Sequence, residues 1–176
     1  MQSLVPSPLH PAIVHFPIVF MILLPLAAFG ALWAIRRGSQ ANRAWLFPVF
    51  TAAALAGTAW LALETGETDE ERAEEVVGEQ ALETHEEAAK RFLALAIGGL
   101  VLTSVGLARG NLGRAARVAG SVAALGLVIA GYQVGHSGGR IAYGDGTSPG
   151  LSSVAGQAAG DNAEAAESGD SDDDDD

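Results

Sequence analysis

A run of 24 residues, Ala12–Ile35, contains no charged side chain and a single ionisable group, His15. As an α-helix, at about 1.5 Å per residue, it reaches roughly 36 Å, enough to cross a hydrocarbon core of about 30 Å. In lipid a segment must satisfy its own backbone hydrogen bonds, so the run is predicted to span a membrane as a helix. It opens with Leu9-His10-Pro11-Ala12-Ile13-Val14-His15-Phe16-Pro17, which sets two imidazoles at its mouth. Pro11 suits a first turn, where a missing N–H has no partner to lose. Pro17 and Pro25 lie further in and are predicted to bend the helix. The run is too long for the apolar part of a cleaved leader, and its arginines follow it, so it is read as a retained span.

Three further apolar spans follow, Ala44–Leu63, Phe92–Ala108 and Ala115–Val134. The third is short and borrows length from Glu87–Arg91, with Lys90 and Arg91 snorkelling; Arg117 is read the same way at the start of the fourth. The connector after the first span carries Arg36, Arg37 and Arg43, and that after the third carries Arg109, Arg114 and Arg117, with no acid in either. The middle connector, Glu64–Arg91, holds eleven acids against three bases. Counting arginine and lysine in short loops puts both arginine loops in the cytoplasm and both termini outside. The expectation is an all-α, four-helix transmembrane bundle in the plasma (inner) membrane, with a helical acidic connector outside the cytoplasm. Trp33 and Trp45 are placed at the inner interface, and Phe16, Trp60 and Tyr132 at the outer one.

Within the connector, Ala73, Val77, Ala81, His85, Ala88 and Phe92 recur at steps of three to four, an apolar stripe on a helix whose other faces are glutamate. That helix is predicted to run into the third span without a break. The third and fourth spans are rich in small residues, including Gly131/Gly135, Ala94/Gly98 and Gly120/Ala124. Such faces favour close packing inside the bundle, or a homo-oligomer contact. The domain is expected over residues 1–146. From residue 147 a Gly-, Ser- and Ala-rich tail carries nine acids and no base, and is expected to be disordered and solvated. Those nine acids account for all but two of the net −11. Without cysteine there is no disulfide, iron–sulfur cluster or thiolate zinc site. Without a basic surface beyond two short loops there is no nucleic-acid footprint.

All four histidines fall at the outer end: His10 and His15 at the start of the first helix, His85 before the third span, and His136 after the fourth. Glu64, Glu86, Glu87, Arg140 and Tyr143 lie at the same level. Imidazoles with carboxylates and no thiolates suit a divalent metal or haem b. Each residue also has an ordinary role: His15 hydrogen-bonded across helices, His10 an interfacial cap, His85 solvated among acids, His136 a cap on the fourth helix. If both are helical, His10 and His15 point about 140° apart. Gly135-His136-Ser137-Gly138-Gly139 fits G-x-S-x-G, but no strand–turn–helix context or later histidine supports a hydrolase. His85-Glu86-Glu87-Ala88-Ala89 lacks the second histidine of a zinc-protease helix.

The opening His10-Pro11-x-x-Val14-His15-Phe16-Pro17 resembles the signature of a bacterial and archaeal family of four-helix membrane domains of unknown function. The resemblance extends through Thr65-Gly66, His85-Glu86 and Gly138-Gly139-Arg140-Ile141-Ala142-Tyr143-Gly144, covering Leu9 to Gly146. It departs where members often carry a further histidine; here Asp145 and Gly146 stand. It implies the fold and the signature residues, and no activity. Two functions stay open. In one, His15 and His136 ligate haem b or a metal, His85 is a third ligand or relay, and Arg140 pairs with an anion, in a redox role with a redox partner; His10, Glu64, Glu86 and Tyr143 complete the surroundings. In the other the protein is a non-catalytic structural or accessory module whose histidines pack and hydrogen-bond. Proton-coupled transport is weaker, because no acid lies inside a span.

Overall fold

A computed structural model of the chain describes the backbone of residues 10–77 and 79–143 and the side chains of residues 12–66 and 82–139. Its helices are α1 (His10–Ile13), α2 (His15–Arg36), α3 (Ala41–Val77), α4 (Glu79–Val105) and α5 (Gly110–Tyr143). Four segments, His15–Arg36, Ala41–Gly66, Leu82–Val105 and Gly110–Gly139, are long and apolar enough to cross a membrane. There is no strand among the described residues, and the expected all-α four-helix architecture holds. One compact unit ends at Gly138; of the second, from Gly139, the structure describes only the last turn of α5. The acidic tail expected to be disordered lies outside the described residues.

The entry to the first span is interrupted by its own sequence. Val14 keeps helical dihedrals (φ −60°, ψ −21°), yet α1 and α2 are separate elements. Pro17 has no N–H to give the Ile13 carbonyl, and the next bond, Ile18 N–H to the Val14 carbonyl, is stretched to 3.4 Å. Pro17 therefore sits in the first turn of α2 and not at a mid-span bend. At the other end Gly38, at φ +98°, stops α2. Its N–H bonds the Ile35 carbonyl and the Ser39 N–H the Ala34 carbonyl, both at 3.1 Å, the two bonds of a Schellman cap.

The core inverts the size pattern of a soluble protein. Met21 and Leu24 of α2 meet Ala52, Leu55, Ala56 and Ala59 of α3, Phe92 and Ala96 of α4, and Ala124 and Leu127 of α5. The α3 set has the i, i+3, i+4, i+7 spacing of one helix face, and most of it is alanine. Large side chains point outward instead: Phe16, Leu26, Phe50, Val101, Ile129 and Tyr132 are 57–71% exposed. Water would not tolerate so continuous an apolar surface, whereas lipid solvates it and rewards close backbone contact between small residues.

The arginine-loop end is more buried than the sequence predicts. Trp45, expected at the interface beside Trp33, is 0% exposed while Trp33 is 60% exposed. The Trp45 Nε1–H donates to the Thr103 carbonyl at 2.8 Å, and the Thr103 hydroxyl donates to Gly99 at 2.7 Å. Arg117, expected to snorkel, is only 6% exposed. Its Nε donates to the Gly106 carbonyl at 2.8 Å and its Nη2 to Ala108 at 3.4 Å. The guanidinium thus meets carbonyls left over where α4 stops, at the negative end of that helix dipole. Arg117 caps a neighbouring helix rather than reaching for water. Lys90 and Arg91 likewise have partners in the protein, pairing with Glu86 and Glu87 one turn earlier on α4.

The connector is helical on both sides of Gly78. α4 runs from Glu79 straight into its span, as expected. α3, however, continues eleven residues beyond its apolar part, which ends at Gly66, to Val77.

Candidate functional site

Met21 of α2, Phe92 of α4 and Gly131 of α5 meet at one level, with Ala59 of α3 in the same cluster, so the start of α2, the Gly66 region of α3, the first turns of the α4 span and the last turns of α5 share one end of the bundle. His15, His85 and His136 all lie at that end. Here α4 and α5 pack antiparallel in one constant register. His85 faces Gly138 and Phe92 faces Gly131; further along, Thr103 faces Gly120. Contacts spaced seven and then eleven residues apart on both helices, kept along their length, are the geometry of small crossing angles. A Cβ on Gly138 would stand 3.0 Å from the His85 ring, so the imidazole lies on bare backbone.

His85 Nδ1 is 2.8 Å from the Ser137 Oγ, and that hydroxyl is 2.8 Å from the Val134 carbonyl on its own helix. A carbonyl only accepts, so the one serine proton goes to Val134. Oγ must then accept from the ring, which places a proton on Nδ1 of His85. This cross-helix bond was not expected from sequence; Ser137 drew notice only inside a motif that does not apply. His136, expected to cap the fourth helix, lies inside it instead, for α5 continues through Gly138 and Gly139 to Tyr143. The motif therefore has no turn on which to present a nucleophile.

The other sequence-predicted residues are dispersed. His136 is exposed and its ring stacks on Tyr132, one turn earlier on α5, with centroids 6.0 Å apart and planes 14° from parallel. His15 is exposed in the first turn of α2, and Glu64 is exposed on α3. Glu86 is half-buried and bound to Lys90. The side chains of His10, Arg140 and Tyr143 lie outside the described ones, though His10 opens α1 and the other two lie in the last turn of α5. Among the described residues no three His, Asp or Glu side chains are grouped to hold a metal ion. The joint histidine cluster expected from sequence is thus not assembled by them: His85 turns to α5 while His136 lies along the outer face of α5.

The profile of a family described as predicted membrane proteins (DUF2231) matches residues 6–149. That span includes all four crossing helices, His10 and His15, and the His85–Ser137 contact. The chain belongs to this family. No curated protein and no solved structure matches it. For this DUF2231 chain the family supplies the membrane setting, and any chemistry has to be argued from its own side chains.

Proposed function

We propose that the protein is a multi-pass accessory module of the plasma membrane in which His85 holds two helices in register and the outer-end histidines do not bind a cofactor. The observation that carries this reading is the His85–Ser137 bond at 2.8 Å, laid against Gly138. Apolar faces slide past one another in lipid with little change in energy, whereas a directional bond between α4 and α5 does not. His136 adds stacking on Tyr132 at the rim, where amphipathic rings favour the interface. The arginine loops face the cytoplasm in this reading, which puts the histidine end outside.

A double-mutant cycle over His85→Ala and Ser137→Ala in detergent-solubilised protein tests it. Thermal unfolding is expected to give a coupling of about 0.6–1.5 kcal/mol, the range for cross-helix hydrogen bonds in membranes. Purified protein is expected to show no Soret band and no stoichiometric metal. A zero coupling, or a tightly held cofactor that leaves on His85→Ala, would overturn the proposal.

A second reading, with haem b or a divalent metal at the outer face, draws on the same bond. An imidazole whose Nδ1–H is anchored on a hydroxyl is oriented as metal-bound histidines commonly are, through a fixed tautomer. It requires the exposed rings of His15 and His136 to turn toward His85 as further ligands, with His10 and Arg140 in the same end segments of the chain, and a redox partner. The pigment and metal measurements above decide between the two.

A further inference from the structure

The face of α2 carrying Ala27, Gly30, Ala31 and Ala34 does not close completely against α3. It leaves an open groove of about 400 Å³ lined by Leu23, Leu26, Gly30, Ala34, Ala44 and Phe47 among others, all of them apolar. From Leu23 to Ala34 it runs along twelve residues of helix, roughly 16 Å, which is one leaflet's share of a hydrocarbon core of about 30 Å. It ends at Ala34 and Ala44, the residues that bracket the first arginine loop. Arg36, Arg37 and Arg43 are exposed there, and no acid precedes Glu64 in the chain. Arg37 lies over the Trp33 ring, 4.7 Å from its centroid, so its charge is held at the interface on the flank of α2 that adjoins Gly30.

We propose that this groove seats one acyl chain of an anionic phospholipid from the arginine-side leaflet, with the phosphate on Arg37 and Arg43. The chemistry selects the occupant. An apolar groove without a hydrogen-bonding side chain gives a polar ligand nothing to bind. A groove one leaflet long offers a neighbouring helix, which needs the full thickness, only half a seat. Uncompensated positive charge at its mouth favours a negative headgroup, at about 1 kcal/mol per arginine.

Native mass spectrometry of the full chain in detergent tests this, using phosphatidylglycerol and phosphatidylcholine with the same acyl chains. The wild type is expected to retain one phosphatidylglycerol in preference to phosphatidylcholine. Gly30→Leu fills the groove from the protein side; nothing lies within 4 Å of where its Cβ would be, so the fold should tolerate it, checked by an unchanged melting temperature. Retention should fall about tenfold, the equivalent of roughly two methylenes losing their seat. Arg37→Gln and Arg43→Gln should each cut the headgroup preference about fivefold while leaving chain binding in place. Unchanged retention in Gly30→Leu would overturn the proposal, as would the absence of headgroup preference in the wild type. So would a wild-type dimer that Gly30→Leu dissociates, since a second copy would then be the occupant.

Discussion

Gly106→Ala is expected to lower the melting temperature of the detergent-solubilised protein by on the order of 10 °C, a large loss for one added methyl group. The methyl carbon would stand 2.2 Å from the Trp45 Nε1 and 2.8 Å from the Thr103 carbonyl. Neither neighbour can yield cheaply. The indole is fully buried and tied to that same carbonyl, and the carbonyl belongs to the last turn of α4. Overpacking of a tight core costs about 1–3 kcal/mol when side chains can adjust, and here the adjustment also breaks a buried hydrogen bond worth about 1 kcal/mol. At a few degrees per kcal/mol for a chain of this size, the total gives the stated shift. Two controls isolate the cause. Gly57→Ala, where a Cβ meets nothing within 4 Å, should leave the melting temperature unchanged or slightly raised. Trp45→Leu in the Gly106→Ala background should restore part of the loss, because the smaller side chain vacates the space the methyl needs. Additive losses in the double variant would show that the two residues do not compete for one volume, and the account of this end would fail.

How much of this was legible in the sequence depended on the kind of signal. Charge is segregated so sharply that four spans, two arginine loops and the common end of the histidines could be read from residue order alone. Which face of each span looks inward could not, because a helix apolar on all sides carries almost no directional signal. Trp33 and Trp45 flank the same loop and read alike, yet one faces lipid and the other is the most buried large side chain. The acidic connector was recognised as helical from its stripe, but its division between α3 and α4 was not, since glutamate-rich sequence supports a helix on either side of Gly78 equally well. At the candidate site, His85 was visible as an ionisable group on an apolar stripe. Its partner was hidden because Ser137 sits beside the more conspicuous His136, and one residue along a helix turns the side chain by about 100°. A signal did exist: His85 and Phe92 are seven apart, as are Gly131 and Gly138, a large pair facing a small pair in antiparallel register.

Arg117→Met is expected to destabilise the protein by about 2–4 kcal/mol, with the damage confined at first to the turn between α4 and α5. The residue is 6% exposed, and no acidic side chain neutralises it among the described residues. What it neutralises is the end of a helix. The α4 ladder closes in three tight turns, from Gly106, Leu107 and Ala108 back to Thr103, Ser104 and Val105. That leaves the Gly106 and Ala108 carbonyls pointing at α5, where the guanidinium meets both. Methionine keeps most of the apolar stem and its packing, so the loss reports the charge and its donors. Hydrogen bonds from a charged donor contribute about 1.5–3 kcal/mol each, and a buried carbonyl left without a donor costs a comparable amount. Arg117→Lys separates charge from geometry: an ammonium supplies the favourable end charge, worth about 0.3–2 kcal/mol, but cannot span both carbonyls as Nε and Nη2 do. The order of melting temperatures should therefore be arginine, lysine, methionine. Hydrogen exchange should rise first at the amides of Gly106 to Ala108, where local opening now costs least. If methionine proves as stable as arginine, the two carbonyls are satisfied by water at the membrane surface, and Arg117 is buried for a reason other than capping.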